Sequence, residues 1–194
     1  MPQSSLARPL ALPVAAARTK IAGDLLAWSE QTRRDLPWRR VRDPWAILVS
    51  ELMLQQTQVA RVIPKWHAFL ASFPDPAACA AAPPGAVISA WQGLGYNRRA
   101  RNLHATAEAI VENHDGRVPD TLEGLLALPG IGPYTARAVL AFAFEQDVAV
   151  VDTNAARFLA RGVAGRRLAP REAQDLADSL VAPGTGWAHN QGVL

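Results

Sequence analysis

The sequence predicts an all-α fold. Helix starts are marked by capping pairs such as Asp43-Pro44, in which aspartate caps the helix and proline suits its first turn. Apolar residues also recur at helical spacing, as at Ile21 and Leu25. The one convincing extended stretch, 148–151, is too short to build a sheet. We therefore expect one all-α unit within the 194 residues.

The composition is that of a globular protein with an arginine-rich surface. Hydrophobic residues make up 49% and charged residues 19%, and no run of 18 apolar residues suggests a membrane span. The formal charge is only +3, but all 20 cationic residues except Lys20 and Lys65 are arginines, which suit forked contacts to phosphate. The single cysteine, Cys79, excludes an internal disulfide and fits a reducing compartment.

The N-terminal part of the chain predicts a tail, a helix and a basic loop. Residues 1–17 contain three prolines and show no periodicity, so we expect a disordered tail there. A first amphipathic helix follows from Arg18. The basic loop at 33–40 carries Trp38 among its arginines, and a solvated loop and a DNA-facing lip explain it equally well.

Glu51 is the unusual residue of the helix that starts at Pro44. It shares a helical face with Ile47, Leu48 and Leu54, and glutamate is rarely buried unless it is paired or functional. Burial would raise its pKa and make it a proton donor near neutral pH. A glutamate at the rim of the fold, reaching solvent or an arginine, is the alternative, and local sequence alone favours it.

A glycine-flexed loop in the middle of the chain suggests contact with nucleic acid. Helices predicted up to Trp91 end at Gly93, and the loop then presents Tyr96 ahead of three arginines within four residues, at positions 98, 99 and 101. Stacking by an exposed aromatic and phosphate contacts by arginines are how proteins hold DNA strands. We favour DNA binding here over an ordinary turn. The helix continues to about Asn113.

The segment LPGIGPYTA at 128–136 predicts the tight loop of a helical hairpin. Gly130 and Gly132 allow a sharp turn and close approach, and Pro133 suits the start of the second helix. The N–H groups at that helix start form an anion site. A capping box is predicted at Asp120 and Glu123, and a plain N-cap is the alternative to any functional role for Asp152. Further helices are expected from Pro170 to Val181 and from Trp187 onward.

Five segments, in order, resemble the MutY-type adenine DNA glycosylases of the helix-hairpin-helix, endonuclease III superfamily. They are LPWRR…DPW…SELMLQQTQV, FLASFP, WQGLGYNRRARNLH, LPGIGPYTARAVLAFAF and VVDTNAARFLAR, and the similarity covers about residues 20–194. The resemblance implies a catalytic domain at 18–194. Within it we expect a six-helix lobe at 44–147, with its hairpin at 121–144, and an incomplete second helical lobe formed by 18–43 and 148–194.

The resemblance implies hydrolytic removal of adenine mispaired with 8-oxoguanine or guanine in double-stranded DNA. Glu51 matches the catalytic acid and Asp152 the carboxylate that stabilises the cationic sugar, whereas Tyr134 and Asn154 match residues that order the sugar side. The residues that match the walls and hydrogen-bonding groups of the adenine pocket are Arg34, Leu36, Trp38 and Gln191. Those that match DNA-binding positions are Gln55, Gln56, Thr57, Leu94, Gly95, Tyr96, Arg98, Gly130, Gly132 and Thr135, with Gln56 and Tyr96 as the wedge that opens the duplex.

Position 134 separates two enzyme classes within this resemblance. Endonuclease III-like enzymes have a lysine there, whose amine forms a Schiff base and nicks the strand. Tyr134 has no amine, so we expect a monofunctional glycosylase. A bifunctional glycosylase and a DNA-binding module inactive as a fragment are the alternatives. The resemblance further implies a monomer in the bacterial cytoplasm, associated with the nucleoid, without membrane contact.

The family carries a [4Fe–4S] cluster on four cysteines that would lie just beyond Leu194. Such a cluster needs four ligands, and Cys79 alone cannot supply them, so we expect no metal site in this chain. A C-terminal domain that reads 8-oxoguanine is also missing. We therefore expect a truncated chain in which apolar side chains are partly uncovered, namely Ile21, Leu25, Trp28, Leu176 and Leu180.

Overall fold

The fold is all-α, as predicted. The computed structural model describes residues 15–194, and the predicted tail at 1–14 lies outside the described residues. The first helix already begins at Ala15, so 15–17 belong to it rather than to a tail. The described part of the chain contains eleven α-helices and no strand. None of these helices combines the length and apolar character needed to cross a membrane.

The helices are α1 (Ala15–Thr32), α2 (Pro44–Leu54), α3 (Val59–Ser72), α4 (Pro76–Ala81), α5 (Pro84–Ala90), α6 (Arg98–Asn113), α7 (Leu122–Leu126), α8 (Pro133–Phe142), α9 (Thr153–Phe158), α10 (Pro170–Asp178) and α11 (Gly186–Val193). A 3₁₀ turn at Pro37–Arg39 precedes α2, and a π-helical turn at Leu159–Val163 continues α9.

The chain separates into two compact units. The hairpin lobe is Arg34–Gln146, and the terminal lobe combines the described residues up to Arg33 with Asp147–Leu194. The expected lobe began at residue 44, whereas the observed one begins at Arg34, because the 3₁₀ turn packs against α2 and buries Trp38. The hairpin lobe contains seven α-helices, α2 to α8, where six were expected.

Helix α2 lies at the centre of the hairpin lobe. Nine consecutive residues, from Trp45 to Met53, are buried, and the helix packs against α3, α6 and α8. Its start is the predicted one, because the Asp43 carboxylate accepts a hydrogen bond of 2.7 Å from the Ala46 amide. A helix that is buried on all sides leaves no route to solvent along its flank. Any charged residue in it is therefore desolvated.

The hairpin is formed by α7 and α8. Its first helix is capped by Thr121, whose hydroxyl accepts from the Gly124 amide at 3.2 Å. The predicted capping by Asp120 is therefore wrong by one residue. Aspartate and threonine both cap helices well, and in this structure Thr121 is the cap. The loop that follows is anchored to α6, because the Thr106 hydroxyl donates to the Pro129 carbonyl oxygen at 2.7 Å.

In the terminal lobe, an extended segment precedes Asp152, and side chains take the place of a partner strand. The Val150 amide donates to the Asn190 Oδ1 at 2.7 Å, and Asn190 Nδ2 donates to the Val148 carbonyl at 2.8 Å. The Ala149 amide donates to Asp178 at 2.9 Å. The segment is therefore extended without a sheet, because α10 and α11 satisfy its backbone groups.

The core of the terminal lobe is better covered than expected. Leu176 and Leu180 are only 1% and 3% exposed, so the prediction that they lie uncovered is wrong. They belong to an apolar cluster with Leu159 and several alanines, and Ile21 of α1 packs against it. The prediction for Trp28 is confirmed, because this side chain is 58% exposed.

Candidate active site

Glu51 is a buried carboxyl group in the last turn of α2. Its side chain is 6% exposed, and burial raises its pKa from 4.5 to about 7, against the opposing effects of a hydrogen bond from Tyr134 and the charge of Arg39. Of the two explanations open from the sequence, burial is the one observed. A carboxyl group with this pKa holds a proton near neutral pH and can also release it.

Tyr134 lies beside this acid. It is the second residue of α8, which packs against α2, and its hydroxyl donates the hydrogen bond to the Glu51 carboxylate. The start of α8 therefore combines two features, since the loop before it offers backbone N–H groups and Tyr134 reaches inward to the acid. Tyr134 carries a phenol and has no amine with which to form a Schiff base.

The basic loop before α2 contributes both buried and exposed side chains. Leu36 and Trp38 are each 7% exposed, and Trp38 packs edge-on against Trp66 with ring centroids 6.0 Å apart. Arg34 is exposed, and its carbonyl oxygen accepts from Arg39 Nη1 at 3.2 Å. Arg39, the cation that acts on the Glu51 carboxyl, was not predicted, because nothing in the sequence separates it from its arginine neighbours.

Two loops with left-handed backbone lie side by side at the C-terminal end of α2. Gln56 has φ +54° and Tyr96 has φ +48°, and both side chains are exposed, Tyr96 by 63%. The loops border a groove of about 830 Å³ that also includes Arg61. Non-glycine residues rarely adopt positive φ, and such conformations concentrate at functional sites. The structure thus brings the two predicted wedge residues to one groove.

The other predicted DNA-binding residues next to these loops divide into exposed and buried groups. Gly95 and Arg98 are exposed, whereas Leu94 and Thr135 are only 3% and 2% exposed. Gln55 is half-buried at the end of α2, and its Nε2 lies 3.4 Å from the Thr135 hydroxyl oxygen. The side chains of Leu94 and Thr135 therefore pack inside the lobe.

Arg99 is buried, which the sequence did not predict. The sequence placed it with Arg98 and Arg101 as a phosphate contact, but it is only 8% exposed, whereas its two neighbours are exposed. A signal was available, because Arg99 lies four residues before Leu103 and eight before Ala107, both fully buried on α6. Helix phase thus turns this one arginine inward.

The two hairpin glycines have different structural requirements. Gly130 has φ +74°, and a Cβ there would lie 2.8 Å from the Asn102 Cβ, so both the backbone conformation and the packing require glycine. Gly132 caps α8 with φ −96°, and a Cβ there would meet nothing within 4 Å. The fold does not require glycine at 132, and the open space beside it is where a ligand can approach the helix start.

Asp152, Asn154 and Gln191 belong to the terminal lobe. Asp152 caps α9, which is the alternative to a functional role that the sequence left open: it accepts from the Ala155 amide at 2.7 Å, and its second oxygen lies 3.4 Å from Asn154 Nδ2. Gln191 is 6% exposed on α11, and within the described residues its Oε1 has no hydrogen-bond partner. A buried amide oxygen without a partner is costly unless a ligand or water satisfies it.

The residues of this chain do not fit the iron–sulfur cluster that the family resemblance implies. Cys79 is the only cysteine of the sequence, it is buried, and burial raises the pKa of its thiol to about 12. Among residues 15–194, no group of three or more histidine, cysteine or acidic side chains lies close enough together to hold a metal ion. A cluster needs four ligands.

Comparisons with known proteins agree with these features. A family model described as HhH-GPD superfamily base excision DNA repair protein matches residues 49–183, a range that includes Glu51, Tyr134 and Asp152. An adenine DNA glycosylase of Mycolicibacterium smegmatis is 50% identical over 165 residues, covering 84% of this chain and 56% of the relative. The human adenine DNA glycosylase is 40% identical over 190 residues, covering 91% and 35%. The chain thus spans about half the length, or less, of these curated relatives.

Solved structures show the same fold. A thermostable thymine-DNA glycosylase superposes with a TM-score of 0.86 at 30% identity, covering 92% of this chain and 84% of that one. An endonuclease III trapped in covalent complex with DNA superposes with a TM-score of 0.76 at 20% identity, covering 93% and 85%. Together with the match over 49–183, these similarities show that the chain belongs to the HhH-GPD superfamily of base excision DNA repair proteins.

Proposed function

We propose that this protein is an adenine DNA glycosylase that hydrolyses the bond between adenine and deoxyribose where adenine is mispaired with 8-oxoguanine or guanine in duplex DNA. One observation carries the proposal: Glu51 is a buried acid whose pKa is raised to about 7 and whose carboxylate accepts a hydrogen bond from Tyr134. The curated relatives at 50% and 40% identity are named adenine DNA glycosylases, which supports adenine as the base removed.

The chemistry needs two carboxyl groups in opposite protonation states. Protonated Glu51 transfers its proton to the adenine ring, and the bond between the base and C1′ breaks with its electron pair leaving on the base. The deoxyribose is left cationic, and we assign its stabilisation to the Asp152 carboxylate, beside which Asn154 lies. Water then adds to C1′ and releases a proton, which restores the acid. Buried Gln191 offers an unpaired amide oxygen for a hydrogen bond to the base.

The base must leave the helical stack before this chemistry can take place. We assign the opening of the duplex to Gln56 and Tyr96, the exposed residues with positive φ that border one groove. Phosphate contacts are assigned to Arg98 and to the hairpin loop with Gly130 and Gly132, where α8 begins. The duplex containing the mispair is thus the proposed partner.

The proposal is tested by single-turnover release of adenine from duplexes that contain A:8-oxoguanine, A:G or A:T pairs. We expect release from the two mispairs, and we expect Glu51→Gln to lower it by about 10²–10⁴-fold while leaving duplex affinity unchanged. Glu112→Gln, which changes an exposed glutamate of the same lobe, is the matched control and should excise normally. Near-normal excision by Glu51→Gln would remove Glu51 from the mechanism.

Borohydride trapping tests the reaction type. Position 134 offers no amine, so no stable amine-linked adduct with DNA should form, and strand breaks should appear only after hot alkali. Efficient trapping would instead favour an endonuclease III-like lyase, the second candidate function. In that case Lys20 and Lys65 are the two lysines to change, since the sequence has no others.

A further inference from the structure

Arg99 links the helix of the proposed acid to the loop of the proposed wedge. It is the second residue of α6, buried and with no carboxylate partner among the described residues, so electrostatic pairing does not explain its burial. A buried guanidinium is expensive unless hydrogen bonds replace its hydration. The hydrogen-bond acceptors around the Arg99 guanidinium therefore explain its burial.

The two terminal nitrogens of Arg99 hold two different parts of the hairpin lobe. Nη1 donates to the carbonyl oxygens of Leu52 and Met53, at 2.9 and 3.0 Å, and to that of Gln55. These are carbonyl groups at the end of α2, which have no partner within the helix. The guanidinium thus replaces the usual C-terminal cap, and its charge suits the negative end of the helix dipole.

Nη2 holds the wedge loop. It donates to the carbonyl oxygens of Leu94 and Gly95, both at 3.1 Å, and to the Thr57 hydroxyl at 3.0 Å. The same guanidinium lies 5.5 Å from the ring centroids of Trp91 and Tyr96, within the range of a cation–π contact. The exposed Tyr96 ring therefore sits on the group that also closes the end of α2.

We infer that Arg99 is a positioning residue that fixes the wedge residue Tyr96 relative to the helix that carries Glu51. The inference rests on the proposed function. The planar guanidinium is needed, because Nη1 binds the end of α2 and Nη2 binds the loop. A lysine ammonium has a single nitrogen and cannot bind both. The loop is consequently held in its left-handed conformation at Gly95 and Tyr96 before DNA arrives.

The test compares base extrusion with excision in the unchanged chain, in Arg99→Lys and in Thr57→Val. The Thr57→Val change removes one hydrogen-bond acceptor of Arg99 Nη2 with little change in volume. It still tests the inference if Arg99→Lys folds poorly. The first readout is the fluorescence of 2-aminopurine at the target position, which rises when this base leaves the stack. The second is single-turnover release of adenine from an A:8-oxoguanine duplex and from a one-nucleotide bulge, where adenine is already unpaired.

Arg99→Lys should suppress the 2-aminopurine signal and slow excision from the duplex by about 10²-fold, a loss that a displacement of about 1 Å can cause even when the mutation lies far from the chemistry. Excision from the bulge should fall much less, because extrusion is not required there, and Thr57→Val should show a smaller loss with the same substrate pattern. Arg117→Lys, at an exposed arginine of the same lobe, should behave as the unchanged chain.

Equal losses on duplex and bulge would overturn the inference, because Arg99 would then support only the fold or the acid. Normal 2-aminopurine unstacking by both Arg99→Lys and Thr57→Val would overturn it as well, as would the absence of unstacking by the unchanged chain. If the unchanged chain unstacks 2-aminopurine but releases adenine from neither substrate, the proposed function fails. The fluorescence comparison still decides the role of Arg99.

Discussion

At the scale of single residues, Tyr134 tunes the acid that it contacts. Its hydrogen bond lowers the pKa of Glu51, opposing the larger effect of burial, so Tyr134→Phe should raise that pKa above about 7. The acid then stays protonated to higher pH, and the alkaline limb of the single-turnover excision rate should move upward. A pH–rate profile of both chains measures this. An unchanged or lowered limb would show that the hydrogen bond does not control the titration.

Burial of Glu51 also predicts a stability effect. A carboxyl group whose pKa is about 7 when folded and about 4.5 when unfolded favours the folded state at low pH, and this contribution is lost as pH rises through about 7. The full loss is about 3 kcal/mol. Glu51→Gln has no such loss, so its melting temperature should exceed that of the unchanged chain by several degrees at about pH 8 and by less at about pH 5. A difference independent of pH would contradict this, and Glu112→Gln provides the control.

At Glu51 the local sequence raised the question of burial but favoured the wrong answer. Its apolar neighbours at helical spacing left a rim position as the preferred explanation, only the family resemblance matched it to a catalytic acid, and the structure buries it. Arg99 and Arg39 were not singled out, because each belongs to a run of arginines. The members of such a run differ only in whether the side chain points into the lobe or into solvent. Burial then depends on helix phase and on tertiary packing, which a local reading of charge does not resolve.

At the scale of elements, helix starts were the most predictable features. Asp43 was expected to cap a helix and does so, and the N-cap left open for Asp152 is also present, since a capping hydrogen bond closes within three residues. The start at Thr121 was missed by one residue because two good capping residues are adjacent. Segment 148–151 was read as extended, but its hydrogen-bond partners on α10 and α11 lie far along the chain, and the sequence does not reveal them.

The hairpin loop offers a paired test of fold and function. Gly130→Ala forces a side chain into left-handed backbone and against Asn102, so it should destabilise the chain by about 1–2 kcal/mol or more and lower the melting temperature. Gly132→Ala should leave the melting temperature almost unchanged, because its Cβ enters open space, but it should weaken duplex binding. Calorimetry and fluorescence anisotropy measure the two effects. Normal affinity of Gly132→Ala would argue against a phosphate at this helix start.

At the scale of the whole molecule, the hairpin lobe is continuous in sequence and the terminal lobe is not. Residues 34–146 contain all of the hairpin lobe, whereas the core of the terminal lobe includes Ile21 together with residues from 149 onward. A fragment of 34–146 should therefore be helical and melt cooperatively, whereas a fragment of 147–194 should not. Circular dichroism during heating measures this. A cooperative melt of 147–194 alone would show that α1 is dispensable.

The lobe boundary was the least predictable feature at this scale. The family resemblance placed residues 18–43 in the second lobe, whereas those from Arg34 onward belong to the hairpin lobe. Leu36 and Trp38 are buried in the hairpin lobe and hold the basic loop there. Burial of two large side chains is worth several kcal/mol, roughly 1.5–3 each, which outweighs the solvation preference of the flanking arginines.

Packing of α1 against α11 sets an order of events during synthesis. The two helices approach so closely that a Cβ at Gly192 would lie 2.9 Å from the Ser29 Cβ. A ribosome adds about 5–20 residues each second, so residues 147–194 emerge over roughly 2–10 s after the hairpin lobe is complete. Throughout that interval α1 has been made but its partner has not, and Ile21 and Leu25 remain accessible to chaperones. The nascent chain thus carries a folded hairpin lobe while α1, which was made earlier, still lacks its partner helix α11.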